Sequence, residues 1–144
     1  MGLDMYLNAR KFIGWKEMDP IKKKVQKAIE DCGVIDINYV QGEAMYWRKA
    51  NAIHNWFVQN VQSGNDDCGI YDVDKEKLGE LSELIDQAIA TKDTELLPTA
   101  SGFFFGNTDY DEYYWEVLKN TSERLKELLG EDYKGWNFQY QSSW

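Results

Sequence analysis

The segment WNFQYQSSW, residues 136–144, indicates the fold more clearly than any other part of the chain. Aromatic residues recur at every second position and polar residues stand between them, which is the period of a strand with one buried face. Trp136, Phe138, Tyr140 and Trp144 share the aromatic face, and only Ser142 interrupts it. We therefore predict a strand here, with its aromatic face toward the core.

The segment LDMYLNA, residues 3–9, shows the same alternation near the other end of the sequence. Strands near both termini with helical patterns between them favour an α+β domain. We expect a mostly antiparallel sheet that includes both terminal strands, with three to four helices packed on it. The length of 144 residues fits one domain over 1–144, because no repeat, linker or low-complexity tract divides it.

Apolar residues at helical or alternating spacing predict the elements between these strands. Asp19 and Pro20 predict the start of a helix that ends at Gly33 and buries Cys32. Ile35, Ile37 and Tyr39 predict a second strand. The other expected elements are a helix over 44–61, a short strand over 70–73, a helix capped by Asp74, a buried strand over 101–106 (SGFFFG), and a helix from the capping box Asp109 and Glu112 to residue 129.

The charge is unevenly distributed along the chain, whose formal net charge is -9. Residues 1–60 hold 9 basic and 7 acidic residues, about +2, whereas residues 61–144 hold 7 basic and 18 acidic residues, about -11. An acidic surface repels phosphate backbones, so direct nucleic-acid binding is disfavoured. The acidic half either keeps the protein soluble or engages a basic partner.

The sequence lacks the residues that several classes of function require. No apolar run approaches the roughly 20 residues of a membrane span, and no secretory signal is recognisable, so a cytoplasmic location without membrane contact is expected. Cys32 and Cys68 are too few and too far apart for a zinc site, and no phosphate-binding glycine loop is present. The turn Asn65, Asp66 and Asp67 lacks the ligand alternation of a calcium loop. We therefore expect neither a metal nor a cofactor.

His54 is the single histidine of the chain. It is either a hydrogen-bonded structural or ligand-binding residue, or a general base that an orienting carboxylate would have to serve. No carboxylate lies within one helical turn of it, so a partner would have to come by folding from Asp66, Asp67, Asp109 or Asp111.

The chain is rich in aromatic residues, with 6 Trp, 9 Tyr and 6 Phe. They are densest between Ser101 and Trp115. Helical angles place Tyr110 and Tyr114 in the core, but they leave Trp56, Tyr113 and Trp115 beside the apolar stripes. Side chains of this kind can line a surface that stacks on a ligand and donates a few directed hydrogen bonds.

Five phrases of the sequence resemble a family of small phage and prophage proteins of uncharacterised function. They are MGLDMYL (1–7), ANAIHNWFV (50–58), DDCG (66–69), LLPTxSGFFFG (96–106) and YDEYY (110–114). The resemblance implies a viral accessory protein in the host cytoplasm. Such proteins often bind a host protein or sequester a small molecule.

The first hypothesis from these observations is that the chain is a binding protein, and an enzyme is less favoured. Its partner would be a host protein or a small molecule, including a nucleotide, and its role could be counter-defence. Two alternatives stay open: an acidic inhibitor of a basic nucleic-acid-binding host protein, and a hydrolase or transferase that uses His54. The expected binding residues are His54, Asn51, Asn55, Trp56, Asp66, Asp67, Ser101, Asp109, Tyr110 and Tyr113.

Overall fold

The computed structural model describes residues 2–14, 19–34 and 36–144. Four strands form one antiparallel sheet: β1 (Asp4–Phe12), β2 (Tyr39–Arg48), β3 (Ile70–Val73) and β4 (Asn137–Ser143), in the order β2-β1-β4-β3. The α-helices of the described part are α1 (Pro20–Ala28), α2 (Asn51–Asn60), α3 (Lys75–Thr91) and α4 (Glu112–Leu128). The expected α+β architecture is confirmed. None of these helices has the length and apolar character that crossing a membrane requires.

The first and last strands pair with each other in the middle of the sheet. Asp4 lies opposite Ser143, and Arg10 lies opposite Asn137. Phe138, Tyr140 and Ser142 are buried on one face of β4, as the alternation predicted. Trp144 departs from the prediction, because it is 46% exposed beyond the end of the strand.

The core lies between this sheet face and α2, α3 and α4. Phe57 of α2 stacks on Tyr140 of β4, with ring centroids 4.0 Å apart and an interplanar angle of 8°. The indole Nε1 of Trp47 donates to the Thr121 hydroxyl of α4 at 2.8 Å, so the polar atoms of this interior contact are paired. The buried apolar residues of α3 and α4 complete the core: Leu78, Leu81, Ile85, Ala88, Tyr114, Leu118, Leu125 and Leu128.

The helix expected over 44–61 is wrong in its first part. Residues 44–48 belong to β2, and α2 begins at Asn51 after a turn at Lys49, whose φ is 54°. The pairing of β1 with β2 shifts register between Leu7 and Asn8. The predicted helix extended too far because Tyr46 stands at helical spacing before Ala50 and Ile53, although Tyr46 lies on β2 and is 43% exposed.

The first helix differs from the expectation in its length and its burial. It ends at Ala28, a short 3-10 turn over Glu30–Cys32 follows, and α1 contains no buried residue. Cys32 is exposed, so its predicted place in the core is wrong. An amphipathic stripe does not itself determine whether another element covers it. Ile37 precedes the second strand, which starts at Tyr39, and Ile35 lies outside the described residues.

Side chains of α4 bind the backbone of β2, a strand at the edge of the sheet. The Nε of Arg124 donates to the carbonyl of Ala44 at 2.9 Å. The hydroxyl of Tyr113 donates to the carbonyl of Arg48 at 2.5 Å. These bonds satisfy edge carbonyls that would otherwise be open to another strand.

Candidate functional site

Residues 99–110, here called the aromatic loop, form a compact loop whose ends meet. The hydroxyl of Thr99 donates to the carbonyl of Thr108 at 2.9 Å, which closes the base. The amide of Phe105 donates to the carbonyl of Gly102 at 3.3 Å, which makes a turn at the tip. The buried strand expected over 101–106 is therefore wrong. Loops closed in this way often carry function because a rigid scaffold presents them.

Asn51, the first residue of α2, holds the aromatic loop from inside. Its Nδ2 donates to the carbonyl of Phe105 at 3.1 Å and to that of Asn107 at 2.8 Å. Its Oδ1 accepts from the amide of Ala100 at 3.2 Å. The residue is 4% exposed. Because its amide is already occupied by backbone groups, Asn51 supports the site and does not present itself to a ligand.

The three phenylalanines of the loop have different surroundings. Phe103 is 92% exposed at the tip, with its ring edge-on to Phe104 at 4.8 Å. Phe105 turns inward and lies edge-on to His54, with centroids 5.0 Å apart. Gly106, with a φ of 86°, ends the turn. Phe103 was absent from the residues expected at the site, although Gly102 and Gly106, which flank the three phenylalanines, could have indicated a turn instead of a strand.

His54 is the buried member of a chain of polar groups, here called the polar chain, that reaches the surface at Trp144. Its Nε2 is 3.0 Å from an oxygen of Asp66, and its Nδ1 is 2.7 Å from the hydroxyl of Tyr140. An ionised carboxylate only accepts, so a bond to Asp66 places a proton on Nε2, and in that tautomer Nδ1 accepts from the hydroxyl of Tyr140. The other oxygen of Asp66 accepts from Nε1 of Trp144 at 3.1 Å. The chain therefore joins α2, β4 and the turn after α2.

This geometry supplies the carboxylate that a general base needs, but it leaves no room for a substrate. His54 is 1% exposed. Both of its ring nitrogens are already bonded within the protein, to Tyr140 and Asp66. A base must reach the proton that it removes. The arrangement therefore favours the structural interpretation of His54 over the catalytic one.

A small cavity lies at the first turn of α2. Asn51, Asp109 and Tyr113 line it together with Lys49 and Thr99. Its volume of about 30 Å³ is close to that of one water molecule. His54 does not line this cavity. The cavity is too small for a nucleotide or any comparable ligand.

The turn after α2 separates the two expected carboxylates. Asp66 faces His54, whereas Asp67 is exposed and accepts from the amide of Gly69 at 2.8 Å and from the hydroxyl of Tyr71. These bonds, the one from Gly69 first, lower the pKa of Asp67. Asp67 thus stabilises its own turn.

The remaining expected residues are dispersed. Trp56 is 8% exposed and packs edge-on against Phe57 at 5.3 Å, so its expected place on a binding surface is wrong. Asn55 is half-buried on α2, and Ser101 is exposed on the loop. Tyr110 precedes α4 and is 42% exposed, which corrects its expected core position.

The start of α4 also differs from the expected capping box. Asp111, not Asp109, is the N-cap, and its carboxylate accepts from the amide of Tyr114 at 3.0 Å. That bond is the main reason why the pKa of Asp111 lies below its ordinary value. Asp109 is left exposed at the base of the aromatic loop.

The raised pKa values of two tyrosines predict a loss of stability at alkaline pH. Burial raises the pKa of Tyr114 to about 12 and also raises the pKa of Tyr140. The unfolded chain releases these protons from about pH 10 while the folded chain keeps them. The stability that they contribute is present below about pH 10 and is lost as the pH rises toward the folded pKa, by at most about 1.4 kcal/mol per pH unit for each group.

Urea unfolding followed by circular dichroism between about pH 9 and 12 would measure this loss. Tyr114→Phe should be less stable at neutral pH, because the Tyr114 hydroxyl donates to the carbonyl of Leu97 at 2.8 Å. Its stability should nevertheless fall less steeply with pH than that of the wild type. If the free energy of unfolding fell with pH at the same slope in both proteins, Tyr114 would not be the source of the loss.

The folded chain therefore brings the expected residues into two groups that meet at the aromatic loop. His54 and Asp66 belong to the polar chain, and Asn51, Asp109 and Tyr113 line the small cavity. Asn51 bonds the backbone of the loop that exposes Phe103, and the ring of His54 contacts Phe105 of the same loop. Comparisons with protein-family models, with curated proteins and with solved structures find no match to this chain.

Proposed function

We propose that this chain is a phage-type accessory protein that binds a host protein in the cytoplasm through the aromatic loop. The observation that carries the proposal is the 92% exposure of Phe103 at the tip of a tightly fixed loop. Exposing a large apolar ring to water has a cost that a partner pocket would remove. The resemblance of the sequence to small phage proteins supports the accessory role.

A protein partner agrees with the geometry better than a small molecule does. The cavity beside Asn51 has a volume of only about 30 Å³, far below the roughly 300 Å³ of ordinary ligand pockets. Phe103 instead projects outward, as an anchor residue of a protein interface does. Because Asn51 and Thr99 already order the loop, binding requires little further loss of conformational entropy.

The charge next to the aromatic loop indicates the kind of partner. Asp109, Asp111 and Glu112 are exposed where the loop runs into α4. A partner with an apolar pocket and a basic rim would match both features. Such charges mainly accelerate association and discriminate against acidic partners.

Site-specific photocrosslinking tests the proposal. A benzophenone amino acid replaces Phe103 in one variant and Val34 in a control, in bacteria that express the chain. Val34 is also exposed, at 46%, but it follows the 3-10 turn after α1 and does not belong to the aromatic loop. We expect one dominant adduct from position 103 that excess unlabelled protein suppresses. No adduct, or the same adduct from position 34, would contradict the proposal.

With the partner identified, Phe103→Ala should weaken binding by about 2–4 kcal/mol, or roughly 30- to 1,000-fold. Isothermal titration calorimetry measures this loss, and Val34→Ala is the matched control. Unchanged affinity of Phe103→Ala would remove the loop from the interface. Native mass spectrometry of the wild type and of Phe103→Ala tests the alternative ligand, since a small molecule that the wild type retains and Phe103→Ala loses would speak against a protein partner at the aromatic loop.

A second candidate is an acidic inhibitor of a basic nucleic-acid-binding host protein. Its supporting observation is a set of exposed glutamates at helical spacing on the two packed helices: Glu76, Glu80 and Glu83 on α3, and Glu112, Glu116, Glu123 and Glu127 on α4. Binding through this surface would weaken steeply with salt. It would also respond to Glu116→Gln and Glu123→Gln and not to Phe103→Ala, which separates the two candidates.

A further inference from the structure

The sheet face opposite α2, α3 and α4 carries a row of polar and aromatic side chains. β1 directs its alternate residues Asp4, Tyr6, Asn8, Arg10 and Phe12 to this side, and each of them is half-buried. The neighbouring strands add amides at the paired positions, with Asn137 opposite Arg10 and Gln139 opposite Asn8. The face is therefore able to form many hydrogen bonds.

A groove of about 330 Å³ lies at one end of this face. Arg10, Tyr39 and Asn137 line one part of it, and Asp72 and Asp74 line another. A volume near 300 Å³ is at the lower end of the range for small-ligand pockets. The groove is thus about ten times larger than the cavity at the aromatic loop.

The guanidinium of Arg10 is the cationic group of the groove. Its central carbon lies 3.8 Å from the centroid of the Tyr39 ring, so the ring orients it. No ion pair within the described ranges involves Arg10. A half-buried, oriented guanidinium without a carboxylate partner is suited to bind one from a ligand.

Two carboxylates supply the opposite charge on the β3 side. Asp72 is oriented by Gln139, whose Nε2 donates to it at 2.8 Å. Asp74 occupies the N-cap position of α3, but its side chain accepts no capping hydrogen bond. The Asp74 carboxylate is therefore free to accept from a ligand.

The register gives the spacing of the backbone positions that carry the two charges. Arg10 pairs with Asn137, and Val73 pairs with Phe138, so Asp74 comes in the row of Arg10. Two strand spacings separate them, about 10 Å between backbones. Three extended residues of a peptide span about the same length.

We propose that this groove binds a short zwitterionic peptide with free ends. Its terminal carboxylate pairs with Arg10, its ammonium pairs with Asp72 and Asp74, and its backbone amides meet Asn137 and Gln139. The two carboxylates disfavour a phosphorylated ligand in the same position, because like charges repel. The site lies apart from the aromatic loop and is independent of partner binding there.

A titration with triglycine, followed by ¹⁵N–¹H NMR, tests the proposal. We expect saturable shifts of the side-chain amide signals of Asn137 and Gln139 at millimolar peptide. N-acetyl-triglycine lacks the ammonium and triglycinamide lacks the carboxylate, so each should bind about 10- to 100-fold more weakly. No shift at millimolar triglycine, or equal binding of all three peptides, would overturn the proposal.

Single substitutions test which residue binds each end of the peptide. Arg10→Gln should bind triglycine and triglycinamide equally, and Asp74→Asn should lose most of the discrimination against N-acetyl-triglycine. Arg48→Gln is the control, because Arg48 lies opposite Asp4 on the same sheet face but does not line the groove. If Arg10→Gln still preferred triglycine over triglycinamide as strongly as the wild type does, the peptide would bind elsewhere.

Discussion

Replacing Phe57 with alanine is expected to lower the free energy of unfolding by about 3–5 kcal/mol. Phe57 is fully buried, and its ring lies 4.0 Å from that of Tyr140 in a stacked arrangement. The ring also contacts Trp47 and Trp56. The substitution therefore opens a cavity where α2 meets the centre of the sheet, among rigid rings that cannot collapse to fill it.

Urea unfolding monitored by tryptophan fluorescence would measure this change. Phe103→Ala provides a control with the same chemical change, because Phe103 is 92% exposed and its loss should alter stability by no more than about 0.5 kcal/mol. Equal changes in the free energy of unfolding for Phe57→Ala and Phe103→Ala would contradict the described burial of Phe57. The comparison also shows whether Phe103→Ala is folded when its binding is tested.

Replacing Asn51 with alanine is expected to cost about 2–3 kcal/mol and to loosen the aromatic loop. The substitution removes three hydrogen bonds and leaves the carbonyls of Phe105 and Asn107 and the amide of Ala100 without their side-chain partner. The amide of Ala100 should exchange with solvent at least about tenfold faster, since a bond worth about 1.4 kcal/mol is lost. Hydrogen exchange followed by NMR measures this rate.

Asn55→Ala is the matched control for this substitution. Asn55 lies one turn further along α2 and makes no hydrogen bond with its side chain among the residues that the structure describes. Its replacement should leave the exchange of Ala100 unchanged. Partner binding should weaken in Asn51→Ala although Phe103 remains, because the loop must then be ordered on binding. Unchanged exchange and affinity would show that Asn51 does not organise the loop.

The sequence predicted well those strands in which apolar and polar residues alternate without interruption. Phe138 and Tyr140 alternate with polar residues, and Leu3, Met5 and Leu7 do the same, because both strands lie in the middle of the sheet with one face covered. β2 was misread because Tyr46 stands at helical spacing before Ala50 and Ile53, and the register shift between β1 and β2 interrupts the plain alternation of a strand in this stretch. A local period does not reveal a register shift that a neighbouring strand imposes.

The candidate site was harder to predict because its contacts join distant parts of the chain. Asp66 was among the carboxylates expected to reach His54, and the structure selects it at 3.0 Å. The bond from Tyr140 to the same ring could not be predicted, since 86 positions separate the two residues. Phe103 was placed in a buried strand because a run of three phenylalanines is typical of a core, yet the turn directs one of them into solvent.

The pairing of β1 with β4 has a consequence for how the chain folds as it is made. Asp4 meets Ser143, 139 positions later in the sequence, and β4 also connects β3 to the rest of the sheet. A nascent chain that ends before residue 137 therefore leaves Phe57 of α2 without the ring of Tyr140 and has no strand to join β1 with β3. Because such distant pairing slows folding, we expect the sheet to close only after residue 143 has left the ribosome, over milliseconds to seconds.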